Sequence, residues 1–198
     1  MISSVTIEPY DASHREQALE VLARAYSTNP ATIALFENGD RPLDQTRELF
    51  ALRLNGLPGT KRVAICNDEV VGFAHWTRHP PYTGPVPGSV LERLPEDVAS
   101  RLAIFMSGLH SHDLPEPHCH LGPVAIDPRF QGRGTARQLL RYFCAAPGAG
   151  NTTSFLETDL AANVNLFSTF AFEVIRDVEI LGVRNWFMVR LPLETPPA

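Results

Sequence analysis

The stretch His120-Leu-Gly-Pro-Val-Ala-Ile-Asp-Pro-Arg-Phe-Gln-Gly-Arg-Gly-Thr-Ala136 constrains this chain more than any other part of it. The apolar run from Leu121 to Ile126 reads as a buried strand, and Asp127-Pro128 ends it. A turn carrying Arg129, Gly132, Arg133 and Gly134 follows, and Ala136-Arg-Gln-Leu-Leu140 opens a helix. A strand, a glycine-rich turn and a helix in that order leave the first N–H groups of the helix unpaired and directed outward. Such groups, with the positive end of the helix dipole, bind phosphate. Gly132 and Gly134 let the backbone approach a ligand with no Cβ in the way. Arg129 and Arg133 add charge and bidentate donors.

Two common phosphate sites fail on the letters. A P-loop needs Gly-Lys followed by Ser or Thr, whereas Lys61, far upstream, is the only lysine in the chain. A dinucleotide fingerprint needs a third Gly or Ala after Gly132-x-Gly134-x-x, and Arg137 stands there. The pattern Gln131-x-x-Gly134-x-Ala136 after Val124-Ala-Ile-Asp-Pro128 instead resembles the acyl-CoA loop of the GNAT superfamily of N-acetyltransferases. A second block, Phe155-Leu-Glu-Thr-Asp159 followed by Asn163-Val-Asn-Leu-Phe-Ser-Thr-Phe-Ala-Phe-Glu-Val174, is similar to the strand-helix-strand of that superfamily. Asn29-Pro-Ala-Thr32, Val71-Gly-Phe-Ala-His-Trp76, Glu116-Pro-His118 and Trp186-Phe-Met188 extend the likeness toward the puromycin N-acetyltransferase-like branch. A shared branch does not imply a shared substrate.

Composition sets the outer bounds. A chain of 198 residues with 44% hydrophobic and 20% charged residues has room for one domain with a sizeable core. The expectation is a single domain over residues 1–192 and a loose tail over 193–198. Net charge −5 gives no long-range pull toward nucleic acid or an anionic membrane, so an anion site must be local. No apolar run approaches the ~20 residues of a membrane span, and the first residues lack signal-peptide character. The expected location is the cytoplasm. Cys66, Cys119 and Cys144 have neither disulfide nor metal spacing and suit reduced, buried thiols.

Periodicity predicts the elements. Val5 to Glu8 reads as a strand, Ser13 to Ser27 as a helix capped by Asp11 or Ser13, and Leu43 to Leu54 as a second amphipathic helix. Arg62–Cys66 and Val70–Trp76 read as a hairpin, and His79 to Gly88 as an irregular loop. Leu91 to Leu109 is mostly helical. Thr135 to Ala146 is the helix behind the glycine turn, Ser154 to Thr158 a strand, and Asn163 to Phe170 a short helix. Val174–Leu181 and Asn185–Leu191 form a closing hairpin at Gly182. This is an α/β pattern. The resemblance implies the GNAT fold: a mixed central sheet of about six or seven strands, splayed between its two central parallel strands and flanked by helices.

What the resemblance implies about chemistry is an acetyl-CoA-dependent N-acetyltransferase, using acetyl-CoA or another acyl-CoA, in which a small-molecule amine attacks directly in a ternary complex. Val124, Ala125 and Ile126 would bond the pantetheine arm as an added strand. Arg129, Gln131, Gly132, Arg133, Gly134, Thr135 and Ala136 would hold the pyrophosphate, with Asn163 and Phe167 also against the cofactor. No nucleic-acid or membrane partner is implied, and a homodimer is compatible with the family. Phe167 stands where the family usually has a Tyr that protonates the leaving sulfur, and Ala171 where it has Gly. A thiol of pKa about 8.5 leaves as thiolate without help, and a lost general acid costs roughly 10²- to 10⁴-fold. These changes keep open an alternative, an acyl-CoA-binding regulatory or catalytically impaired protein. Glu157 and His120 are the two base candidates; Glu157 reads equally well as a paired structural carboxylate. His118 and His120 share one face of a strand and Cys119 the other, so no metal site is assigned. His75 and Trp76 end their strand at the expected cleft, Trp76 fitting a core role better.

Overall fold

The computed structural model describes residues 4–37, 42–54, 58–78 and 88–192. The loop expected from His79 up to residue 87 and the tail over 193–198 lie outside them. Seven strands form one sheet: β1 (Thr6–Pro9), β2 (Thr60–Cys66), β3 (Glu69–Arg78), β4 (Cys119–Ile126), β5 (Ser154–Thr158), β6 (Glu173–Ile180) and β7 (Val183–Arg190), in the spatial order β1-β2-β3-β4-β5-β7-β6. Only β4 and β5 run parallel; every other neighbouring pair is antiparallel. The turns are chemically apt. Asn67 and Asp68 take positive φ at the β2–β3 turn, and Leu181 and Gly182 do so at the β6–β7 turn, the conformations a two-residue hairpin requires.

The helices are α1 (Arg15–Tyr26), α2 (Pro30–Leu35), α3 (Pro42–Leu54), α4 (Gly88–Leu91), α5 (Glu96–His110), α6 (Thr135–Ala145) and α7 (Ala161–Ser168). A short 3₁₀ turn, Ala12–His14, precedes α1, and Asp11 caps it by accepting a hydrogen bond from the Ser13 N–H at 2.8 Å. Pro30 sits in the first turn of α2, where its missing N–H costs nothing. The sequence periodicity therefore placed the elements within a few residues. It joined α4 to α5, which Pro95 divides at the N-cap of α5.

Each strand sends alternate side chains to two cores. On one face α1 and α3 cover β2, β3 and β4, burying Leu19, Leu22, Phe50, Val63 and Phe73 together. On the other face α6 lays Leu139, Leu140 and Phe143 against Val71, Trp76 and Leu121, and Phe167, Phe172, Leu156 and Met188 extend that core. Trp76 thus serves the core, with Phe143 edge-on to it at 5.4 Å. A third cluster, Phe155, Phe187 and Ile180, packs under α5. Cys119 is buried with the α6 core while His118 and His120 flank Phe155 on the opposite face, as strand alternation requires. Burial raises the Cys119 thiol pKa to about 11, which keeps it an inert apolar filler.

Ala171, between α7 and β6, has φ 62. A left-handed conformation strains a residue with a Cβ by about 1 kcal/mol relative to glycine. Ala171→Gly is therefore expected to stabilise the fold by up to about 1 kcal/mol, read as a rise in the urea midpoint at constant slope. A lower midpoint would mean that the methyl group packs more than the backbone strains.

Candidate active site

The two parallel strands stay together for only two residue pairs, Cys119↔Ser154 and His120↔Phe155. Beyond these they part, and a cavity of about 640 Å³ opens between them. Its walls come from α1, α2, α3 and α5 at one end and from the start of α6 and one side of α7 at the other. On β4 the Asp127 N–H donates to Val71 O of β3 at 3.0 Å. Ladder bonds alternate along a strand, so Ala125, opposite Phe73, directs its backbone groups to β3 as well. Val124 and Ile126 direct theirs toward the gap. The Val124 carbonyl accepts from the Tyr26 hydroxyl at 3.3 Å, and the Ile126 carbonyl accepts from Gln131 Nε2 at 3.2 Å. All three residues expected to carry a bound chain as an added strand line the cavity; Val124 and Ile126 turn their backbone groups to the gap, and Ala125 turns its own to β3.

The turn after β4 is pinned by a buried carboxylate. Asp127 is fully buried; its Oδ1 accepts from the Arg129 N–H and Nε at 2.9 and 3.0 Å, and its Oδ2 accepts from Arg129 Nη2 at 2.8 Å and Arg24 Nη1 at 3.0 Å. Burial alone would raise its pKa, but these bonds outweigh it and hold the carboxyl at about 2. Arg129 also bonds Glu69 at 2.5 Å. Its guanidinium is thus committed to two carboxylates on the β3 side rather than directed into the cavity. Arg133 lies over the Phe130 ring at 5.0 Å. Arg137, which the sequence offered only as a mismatch to another motif, lines the cavity instead.

Gly134 caps α6 with φ 85, and Gly132 has φ 74. A Cβ at either position would meet no atom within 4 Å, so open space lies before both. No side chain caps α6, which leaves its first N–H groups without partners in the helix. The Thr135 hydroxyl is buried and makes no hydrogen bond. Gln131, Gly132, Gly134, Thr135 and Ala136 all line the cavity. An anion of phosphate type fits this cradle: it would satisfy donors that the fold leaves open.

At the fork itself, His120 Nε2 and Glu157 Oε2 are 2.7 Å apart, with side chains 24% and 23% exposed. The structure thus joins the two base candidates into one pair that lines the cavity. Burial lowers the His120 pKa, but the adjacent Glu157 charge and hydrogen bond raise it further, for a net upward shift. His118 Nε2 lies 3.1 Å from Asp113 Oδ1, and His118 Nδ1 lies 2.9 Å from the Glu116 carbonyl. Asp159 accepts from the Ala31 N–H at 2.8 Å and Asn29 Nδ2 at 3.2 Å, tying β5 to the start of α2. Burial raises its pKa. Asn163 donates to Thr158 Oγ1 at 3.2 Å, and Phe167 packs edge-on to Phe172 at 6.0 Å; both line the cavity near the start of α6. His75 is buried between two carbonyls, Gly122 O at 2.7 Å and Pro58 O at 2.5 Å, and bridges β3 to the irregular part of β4. Tyr26, Asp113 and Asp159 were not singled out from sequence. Asp159 closes the Phe155-Leu-Glu-Thr-Asp159 block without having been given a role, Tyr26 and Asp113 lie in no motif, and each reaches the fork from a different part of the chain.

The sequence profile of the Acetyltransferase (GNAT) family matches residues 18–172. Sequence comparison with curated proteins gives no match. Among solved structures, the Corynebacterium glutamicum protein described as histone acetyltransferase HPA2 and related acetyltransferase superposes with TM-score 0.75 at 20% identity, over 98% of this chain and 99% of that one. The mosquito arylalkylamine N-acetyltransferase like 5b gives TM-score 0.65 at 17% identity over 95% and 100%. A GNAT family acetyltransferase from Brucella melitensis, solved in complex with acetyl-CoA, gives 0.53 at 15% over 98% and 92%. At such identities the likeness is one of fold.

The Asp127 anchor has a measurable signature. Its folded pKa of about 2 lies below the unfolded 3.8, so its contribution is complete above 3.8 and is lost as pH falls through about 2. Arg24 and Arg129 are partly exposed, at 37% and 55%, which screens the pairing and reduces the expected contribution to about 1–2 kcal/mol. Urea unfolding of Asp127→Asn should show that loss at pH 7 and a gap to the native protein that narrows below about pH 4. A gap independent of pH would assign the loss to packing.

Proposed function

The chain belongs to the acetyltransferase (GNAT) family, and we propose that it transfers an acetyl group from acetyl-CoA to the amine of a small molecule by direct attack in a ternary complex. The observation that carries this reading is the position of the His120–Glu157 pair. It stands at the fork of β4 and β5, in the same cavity as the open cradle of Gly132, Gly134 and Thr135. Gln131 to Ala136 hold the pyrophosphate through backbone N–H groups and the Thr135 hydroxyl. Val124 and Ile126 hold the pantetheine arm from the open edge of β4. When bound, acetyl-CoA supplies the activated thioester.

The remaining work falls to side chains of the chain itself. Tyr26, bonded to the Val124 carbonyl, fixes that edge where α1 meets β4. Glu157 faces the acceptor and takes the proton from its ammonium group, and His120 orients the carboxylate at 2.7 Å. Leu102, Phe105, Met106 and Leu109 of α5 and Leu49 and Phe50 of α3 give the acceptor end an apolar wall, which excludes water from the reacting amine. Asn29-Pro-Ala-Thr32 and Trp186-Phe-Met188 support placing the chain nearest the puromycin N-acetyltransferase-like branch.

Phe167 favours a second reading. It offers no proton to a departing sulfur, and the cavity wall beside it is apolar. On that reading the chain binds acyl-CoA and turns over slowly or not at all. Release of free thiol from acetyl-CoA over a panel of small amines separates the two: amine-dependent release above the uncatalysed rate supports transfer, and its absence despite tight binding supports the binder.

Two variants test the assignments inside the leading reading. Gly134→Val fills the open cradle and should raise the Kd for acetyl-CoA at least ~10-fold while the far-ultraviolet spectrum is unchanged. Retained tight binding would place the phosphate site elsewhere. Glu157→Gln should lower kcat by roughly 10²- to 10⁴-fold with the Kd for acetyl-CoA unaffected. An unchanged kcat would remove Glu157 from proton transfer.

A further inference from the structure

We infer that Asp113, His118 and His120 form a binding site for a zinc-class divalent metal ion at the acceptor end of the cavity. One ligand atom from each of the three residues lies within 4.8 Å of the others. Their spacing, Asp-x-x-x-x-His-x-His, confines the ligands to one short stretch: Asp113 just beyond α5, His118 directly before β4, and His120 within it. Little chain entropy separates the free segment from the site.

The orientation of His118 carries the argument. Its side chain is fully buried, and Nδ1 lies 2.9 Å from the Glu116 carbonyl. A carbonyl only accepts, so Nδ1 bears the proton, and in the neutral ring Nε2 is a lone pair. That lone pair is aimed at Asp113 Oδ1, 3.1 Å away, which is itself held by the Leu114 N–H at 2.7 Å. Two lone-pair atoms brought this close require a cation between or beside them. A proton would satisfy these two atoms alone. The cluster gathers more: His120, whose ring is 6.2 Å from the His118 ring centroid to centroid, brings a ring nitrogen within 4.8 Å of a ligand atom of each. Donation of Nδ1–H to a backbone carbonyl is also the outer contact that orients a metal-bound histidine.

The donor set selects the ion. Two imidazoles and one carboxylate suit zinc, cobalt or nickel, and suit poorly the hard ions magnesium and calcium, which prefer all-oxygen shells. Asp113 and His120 line the cavity, so an ion can reach them from that open space. The site stands on side-chain geometry alone and does not depend on acetyl transfer.

The test uses the intact chain, stripped with a chelator and titrated calorimetrically with Zn²⁺, and with Co²⁺ as a visible-spectrum probe. The expected result is one equivalent of Zn²⁺ bound, a higher Tm, cobalt ligand-field bands of tetrahedral or five-coordinate intensity, and no response to Mg²⁺. Asp113→Asn and His118→Gln, which keep side-chain volume close to native, should each weaken Zn²⁺ binding at least ~100-fold, beyond what loss of an outer partner costs. His14→Ala, remote from the cluster, should change nothing. No Zn²⁺ binding by the native chain, or equal binding by both cluster variants, would overturn the site and leave His118 as a partner of Asp113 through a shared proton. Should His118→Gln fail to fold, the Asp113→Asn titration and the cobalt spectrum of the native chain still decide.

Discussion

Everything functional in this fold depends on where β4 is held and where it is released. β3 holds it through an antiparallel ladder that runs to Ile126 and through the Asp127 N–H bond to Val71. β5 holds it for two residue pairs and then lets go. Once released, the Val124 and Ile126 edge of a central strand carries backbone donors and acceptors with no strand beside them. A central strand cannot leave such groups dry and unpaired without cost, so the gap must be filled by side chains, water or a bound chain. Tyr26 and Gln131 take one carbonyl each. The remaining length is available to an extended ligand.

The irregularity that permits the release is built into β4 itself. The register between β3 and β4 shifts between Ala74 and Trp76, opposite Gly122-Pro123. Proline has no N–H for a ladder, and His75 crosses the bulge to bond the Gly122 carbonyl. At the other end Asp127 closes the strand with four hydrogen bonds from two arginines. The strand is therefore clamped on both sides of the segment that stands open. An anchored edge aligns an extended ligand without ordering the backbone at the time of binding, which is the advantage of preorganisation.

Local features of this architecture were legible in the sequence and long-range ones were not. The strand-turn-helix, the opposed faces of Cys119 and His120, and the open glycines follow from periodicity and backbone stereochemistry, which act within a few residues. Ala171, which by the family resemblance stands where a Gly is usual, does have a positive φ. Arg129 shows the limit. As a basic residue in a phosphate-type turn it reads as a ligand contact, yet its partners are a buried aspartate two residues away and Glu69 on another strand. Charge on the letter does not say which carboxylate will reach it. Asp113 and Tyr26 were invisible for the same reason, and Asp159, though inside the second block, had no role assigned: each is brought to the fork by α5, α1 or β5, and no local spacing marks an ordinary acid or tyrosine as a cavity residue.

The two ends of the cavity differ in charge, and this bears on the phenylalanine at position 167. The α6 end presents unpaired N–H groups, a helix dipole and Arg137; the fork presents Asp113, Glu157 and Asp159. Under the proposed transfer, an anionic head would be drawn to the first end and a cationic amine to the second, setting the two ligands in opposite directions along β4. Phe167 lies between them, packed against Phe172 in the α6 core. A hydroxyl there would be a buried polar group needing a partner, whereas the phenyl ring needs none. The chain has thus taken packing over proton donation at this position. Under the proposed transfer, thiolate departure would rely on the stability of the thiolate and on the cationic end of α6, and the rate would be set by how well the fork delivers a neutral amine.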